Sequence, residues 1–228
     1  MNAMNSCDLI VRNAYVITMN THRDVFPSGA IAIQGNEIVG VGPESEIRER
    51  YDPLREIDAQ GGVVHPGFVD GHYHTGVHLS RGAVSDDPNK PARGGGDVEG
   101  PGTFARWFNA LTDEDEHVST LLAGVEMLRS GITCFMEAGT ALEPDAVARA
   151  AESVGIRALV ADPFLWDVTG VEPSASEIER APANIKRCLD ILGNELGRNR
   201  DPNALVQGHV ALYGIGSVSD ELQVAAKK

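Results

Sequence analysis

The sequence predicts an α/β protein: the N-terminal half of a (β/α)8 TIM-type barrel, preceded by a small β-sandwich-like domain. Three observations predict it. Residues 8–64 carry strand-forming runs joined by tight turns. From Pro66 onward, short apolar runs alternate with amphipathic helical segments, the mark of a parallel sheet with crossover helices. Of the 228 residues, those after His65 can supply half of an eight-unit barrel, which takes about 250 residues. The expected division is residues 1–65 and residues 66–228, the second part being truncated relative to a closed barrel. An open doubly wound sheet also accommodates four units, but its glycine-rich phosphate loop between first strand and first helix is missing, and Gly94-Gly95-Gly96 lie too far from the strand.

In the first part, Ala30-Ile31-Ala32-Ile33-Gln34 and Glu37-Ile38-Val39-Gly40-Val41 flank Gly35-Asn36, a two-residue connection that closes a hairpin. After Pro66-Gly67 comes the strand Phe68-Val69-Asp70. The first helix is predicted to start at a capping box, Thr112-Asp113-Glu114-Asp115. Its apolar stripe is Val118, Leu121, Leu122, Val125 and Leu128, with Gly131 placed to end it. The strand Ile132–Met136, a helix bearing Ala146, Val147, Ala150, Ala151 and Val154, and the strand Ile156–Val160 follow. A third helix bears Ile185, Cys188, Leu189, Leu192 and Leu196, the strand Ala204–Val210 comes next, and Ser217–Asp220 cap a fourth helix. Half a barrel would bare two strand edges and the inner faces of Phe68, Val69, Phe135, Leu159 and Val206, so residues 1–228 alone are not expected to make a stable, active monomer, the other half being disordered, replaced by a second copy or absent; a homo-oligomer such as a dimer is expected.

Composition narrows the function. Hydrophobic residues at 42% and charged residues at 23% are those of a folded globular chain. Acidic residues number 33 against 19 basic ones, a formal charge of −14 that repels phosphate backbones and anionic lipid surfaces. Neither a nucleic acid polymer nor a membrane is expected as a partner. The apolar runs are too short to span a bilayer and the N-terminus has no secretory pattern, so a cytoplasmic location is expected. Cys7, Cys134 and Cys188 are too far apart for a thiolate metal site and read as reduced thiols.

Chemistry concentrates in Asp70-Gly71-His72-Tyr73-His74. On an extended backbone positions i and i+2 share a face, so both imidazoles reach one ion, and the end of a parallel strand is where barrel enzymes keep their reacting groups. Spacing alone does not separate this pair from two ordinary histidines.

The wider stretch His65-Pro66-Gly67-Phe68-Val69-Asp70-Gly71-His72-Tyr73-His74, followed by Arg81-Gly82, resembles the amidohydrolase superfamily, in the branch of cytosine and guanine deaminases and triazine hydrolases. Arg106-Trp107-Phe108 is similar to that branch's tryptophan-bearing helix, Leu121–Thr133 to its helix-into-strand segment, and the N-terminal strands to its β-domain. The resemblance implies a metal-dependent hydrolase of non-peptide carbon–nitrogen bonds, deaminating a small amino-heterocycle through metal-activated water. It implies one divalent ion, zinc or alternatively iron, with His72 and His74 as ligands. The branch with two metals bridges them by a carboxylated lysine on the fourth strand, and no lysine stands between Lys186 and Lys227. The family's third histidine, its aspartate and its shuttle carboxylate have no match here, so the catalytic residues are expected beyond Lys228.

His78, Arg81, Trp107 and His209 are candidate substrate-binding residues. For His78 a solvated loop position is equally open, and for Arg81 a role in placing a loop or simple solvation. His209 is declined as a substitute ligand. Glu126 reads as a solvated or locally paired carboxylate, and His65 as structural. Residues 85–102 make a longer loop than the family's and are a candidate cap over the pocket. The alternative function is a non-catalytic scaffold or oligomerisation protein that keeps the fold.

Overall fold

A computed structural model describes residues 4–81, 108–168, 178–180, 183–192, 197–214 and 216–228. Trp107 and the 85–102 loop lie outside the described residues. The chain forms two compact units, residues 1–67 and 68–228.

In the first unit, strands β1 (Asn5–Ile17), β2 (Val25–Gln34), β3 (Glu37–Pro43) and β4 (Tyr51–Asp58) stand in the order β3-β2-β1-β4, with the short β5 (Val63–Val64) paired to β1. The Gly35-Asn36 hairpin forms as expected, β2 and β3 being antiparallel with Gln34 opposite Glu37. Helix α1 (Glu44–Arg50) interrupts the expected run of strands. Only Ile47 of this helix is buried, joining Cys7, Ile10, Ala30, Ala32 and Tyr51 in a small core. One apolar residue in seven gives no period to read. Its helical character lies in its charges, Glu44 and Glu46 in the first turn and Arg48 and Arg50 in the last, which oppose the helix dipole.

The second unit is an α/β layer. Strands β6 (Phe68–Tyr73), β7 (Ile132–Glu137), β8 (Arg157–Leu165) and β9 (Val206–Leu212) form a parallel sheet in sequence order. Helices α2 (Asp113–Arg129), α3 (Pro144–Val154), α4 (Ile185–Leu192) and α5 (Asp220–Ala226) alternate with them. The predicted capping box starts α2: Asp115 N donates to Thr112 Oγ1 (3.2 Å) and Thr112 N to Asp115 Oδ2 (2.8 Å). The core between helices and sheet holds Ala123 and Met127 of α2, Val147 and Ala151 of α3, and Phe135, Ala158, Val160 and Val206 of the strands.

Two expectations are corrected. Phe135 and Val206 belong to the helix-covered face, whereas Phe68, Val69 and Leu159 are exposed. In α2 four of the five stripe residues are on the outside: Val118, Leu122, Val125 and Leu128 are exposed and Leu121 half-buried, and Glu116, Ser119, Thr120, Ala123, Gly124 and Met127 are buried. Close approach decides the orientation. A Cβ on Gly124 would sit 3.2 Å from Val154 Cγ1, so Gly124 lets Val154 of α3 lie against α2, and a Leu-bearing face would hold the helices apart.

Candidate metal centre

The metal-site candidates stand where β6 ends. Backbone pairing with β7 holds Phe68–Tyr73 extended, and a 3-10 turn, Thr75–Ser80, then carries the chain away from the sheet. At this break the main chain of His72 is fixed by its own neighbour, its N–H donating to Asp70 Oδ1 (3.1 Å). His72 and His74 converge, their Nε2 atoms 3.1 Å apart and their rings edge-to-face at 85°. Burial, and secondarily the nearby His72, holds His74 below the usual imidazole pKa and so keeps it neutral.

Two ring nitrogens at this separation suit a single ion with Zn–N bonds of about 2.0–2.1 Å. The other ring nitrogen of His74 is committed elsewhere, Nδ1 lying 2.9 Å from Thr140 Oγ1, the outer hydrogen bond that metal-binding imidazoles usually make. The pair fits a zinc-class ion. Among the described residues no cluster of three or more His, Cys, Asp or Glu side chains forms a metal cage.

Behind Thr140 lies Glu137, the last residue of β7, completely buried. Thr140 Oγ1 (3.0 Å) and Thr140 N (2.9 Å) donate to its Oε1, and Gly139 N (2.9 Å) to its Oε2. Burial holds this carboxyl above its ordinary value, with the donors opposing. Neither Glu137 nor Thr140 stood out in the sequence. The available signal was a charged residue closing an otherwise apolar strand at its C-terminal end.

His78 and Arg81 face helix α2. Tyr73 Oη is 2.7 Å from His78 Nδ1, and His78 Nε2 is 3.2 Å from Glu126 Oε2. Arg81 grips the same carboxylate with both arms, Nη1 to Oε2 at 2.8 Å and Nη2 to Oε1 at 2.9 Å, and its Nη1 also abuts His78 Nε2. Glu126 is thus a paired carboxylate, pulled below the usual range by Arg81. Burial, then Arg81, pushes His78 down, with Glu126 opposing. The group pins the 3-10 turn to α2. His209, on β9, donates from Nε2 to the main-chain oxygen of Glu137 at 2.9 Å.

A match to the amidohydrolase family covers residues 63–198. The chain belongs to the amidohydrolase family. A 5'-deoxyadenosine deaminase of Methanococcoides burtonii is 34% identical over 170 residues, covering 70% of this chain and 34% of the relative. This amidohydrolase chain therefore spans about a third of the length of that relative. Among solved structures, an adenosine deaminase from Xanthomonas campestris with bound zinc superimposes with a TM-score of 0.72 at 24% identity, over 99% of this chain and 47% of the other. An atrazine chlorohydrolase mutant from Arthrobacter aurescens TC1, complexed with zinc and atraton, gives 0.71 at 20% identity, over 96% and 51%. The deaminase and triazine-hydrolase branch to which the sequence pointed is where these similarities fall. No helix among the described residues is long and apolar enough to cross a membrane.

Proposed function

We propose that the protein is a metal-dependent aminohydrolase that deaminates a small amino-heterocycle, with His72 and His74 as two ligands of one divalent ion of the zinc class. The observation that carries this is the convergence of two imidazole Nε2 atoms at 3.1 Å, with the far nitrogen of His74 already engaged by Thr140. A zinc-class ion held there by His72 and His74 would lower the pKa of a water molecule, whose oxygen replaces the amine on the ring carbon and whose proton leaves with it as ammonia. This chain's own residues do the holding: β6 aims the imidazoles and Asp70 fixes the His72 main chain. His78 and Arg81 act through Glu126, anchoring the turn that follows the ligands. The four-stranded sheet is read as the first half of the barrel, residues 66–228, with residues 1–65 as part of a small β-domain.

An adenosine-like 6-aminopurine is the substrate class favoured by the deaminase named among the relatives. Metal analysis and ammonia release from adenosine, 5'-deoxyadenosine and an aminotriazine test the proposal. About one ion per chain is expected, lost in the His72→Ala, His74→Ala double variant, with ammonia released from the purine nucleosides only where the shuttle carboxylate and the remaining ligands are also supplied, and none from residues 1–228 alone. Unchanged metal content in the double variant removes the site.

A further inference from the structure

A carboxylate at the end of an apolar strand, completely buried, is costly unless its oxygens are filled with donors. Glu137 meets that condition through one short turn. Gly139, at φ +101°, bends the chain so that the N–H groups of residues 139 and 140 both point back at the carboxylate, and the Thr140 hydroxyl joins them. From the other side His209 clamps the Glu137 carbonyl. The turn is held at both of its ends, and its outermost atom, Thr140 Oγ1, touches His74.

We infer that Glu137 and Thr140 are positioning residues that fix the tautomer and the ring orientation of His74, a role that rests on reading His74 as a metal ligand. A hydroxyl has one proton, and Glu137, whose two oxygens already take the N–H groups of Gly139 and Thr140, is placed to accept rather than to donate. Were Thr140 to donate to His74 instead, its oxygen and Glu137 Oε1 would face each other 3.0 Å apart with no proton between them, at positions only 7% and 0% exposed. Thr140 therefore gives its proton to Glu137 and accepts from His74 Nδ1–H. The Nδ1–H tautomer leaves the Nε2 lone pair directed at His72 and at any ion the two share. The Thr140 methyl and hydroxyl are not interchangeable here, because only the oxygen sets the proton's place on a ring 66 positions away in the chain.

Zinc affinity, measured by competition with a chromophoric chelator on the protein and its variants, tests this without recourse to turnover. Thr140→Val keeps the shape and removes the hydroxyl, and is expected to weaken zinc about 10- to 100-fold, the usual cost of losing such an outer partner. Thr140→Ser, which restores the oxygen, is expected to return most of it. Parental affinity in Thr140→Val overturns the inference, and so does equal weakness of the Val and Ser variants, which would trace the loss to packing. A measurement that needs no variant stands beside these: nitrogen-15 shifts of His74 in the metal-free protein are expected to report a proton on Nδ1, and a proton on Nε2 overturns the inference. The His72→Ala, His74→Ala control separates the two readings. Zinc lost in that control but retained in Thr140→Val leaves the metal site standing and removes only the positioning role.

Discussion

Replacing Arg180 with methionine leaves the buried carboxylate of Glu116 without its counter-charge. Glu116, on α2, is completely buried; its Oε1 accepts from Arg180 Nη1 (2.9 Å) and Leu142 N (3.3 Å), and its Oε2 from Glu143 N (2.8 Å). Stranding one partner of a buried pair costs about 3–5 kcal/mol, yet here the cost has a ceiling. Burial already pushes Glu116 up, and once Arg180 is gone the carboxyl escapes by taking a proton. From an unfolded value of about 4.3, protonation at pH 7 costs about 2.7 units at 1.36 kcal/mol each, roughly 3.7 kcal/mol, and at pH 5 only about 1 kcal/mol. Arg180 is 24% exposed and its second partner, Asp113, 62% exposed, so that contact adds less than about 1 kcal/mol at either pH. The expected loss is therefore about 2–4 kcal/mol at pH 7, shrinking to about 1–2 kcal/mol at pH 5. The direction follows from linkage: a carboxyl whose folded pKa lies above its unfolded one loses stability as pH rises. Urea unfolding of parent and variant at the two pH values measures it, and a deficit independent of pH would refute the reasoning.

Gly139→Ala combines a positive-φ backbone with a Cβ placed 2.7 Å from Phe164 Cδ2. It should cost about 2–4 kcal/mol in chemical denaturation, from roughly 1–2 for the backbone and the rest from overpacking, and parental stability would show that the turn is not held as described. His78, pushed below its ordinary value, binds its proton more readily in the unfolded chain, so stability is expected to fall as pH drops below about 6.5. Unfolding free energies between pH 7 and pH 5 should decline less steeply in His78→Asn, and an identical slope would assign the titration elsewhere.

Local chemistry made much of the fold legible. The capping box at Thr112 and Asp115, the Gly35-Asn36 hairpin and the alternation that ends in four parallel strands depend on residues within a few positions of one another. What the sequence hid depends on partners distant in the chain. The outward turn of Val118 and Leu122 follows from how near Gly124 lets Val154 come, which no hydrophobic period reports. Helix α1 hid for the opposite reason, having one apolar residue and so no period at all. In the site, the convergence of His72 and His74 was legible because positions i and i+2 of an extended chain share a face. Thr140 was not, because nothing in Ala138-Gly139-Thr140 announces which histidine will lie against it.

Helix α2 buries one face, where Gly124 meets Val154 of α3, and exposes Val118, Leu122, Val125 and Leu128 on the other. Its colloidal behaviour is then a contest between two ranges of force. The formal charge of −14 keeps like molecules apart over a distance set by the ion atmosphere, about 10 Å at 0.1 M salt and about 3 Å at 1 M. The apolar flank acts only at contact, and added salt does not weaken it. Low ionic strength lets the charge govern, whereas high ionic strength hands the encounter to the valines and leucines of α2, so light scattering is expected to rise with added salt.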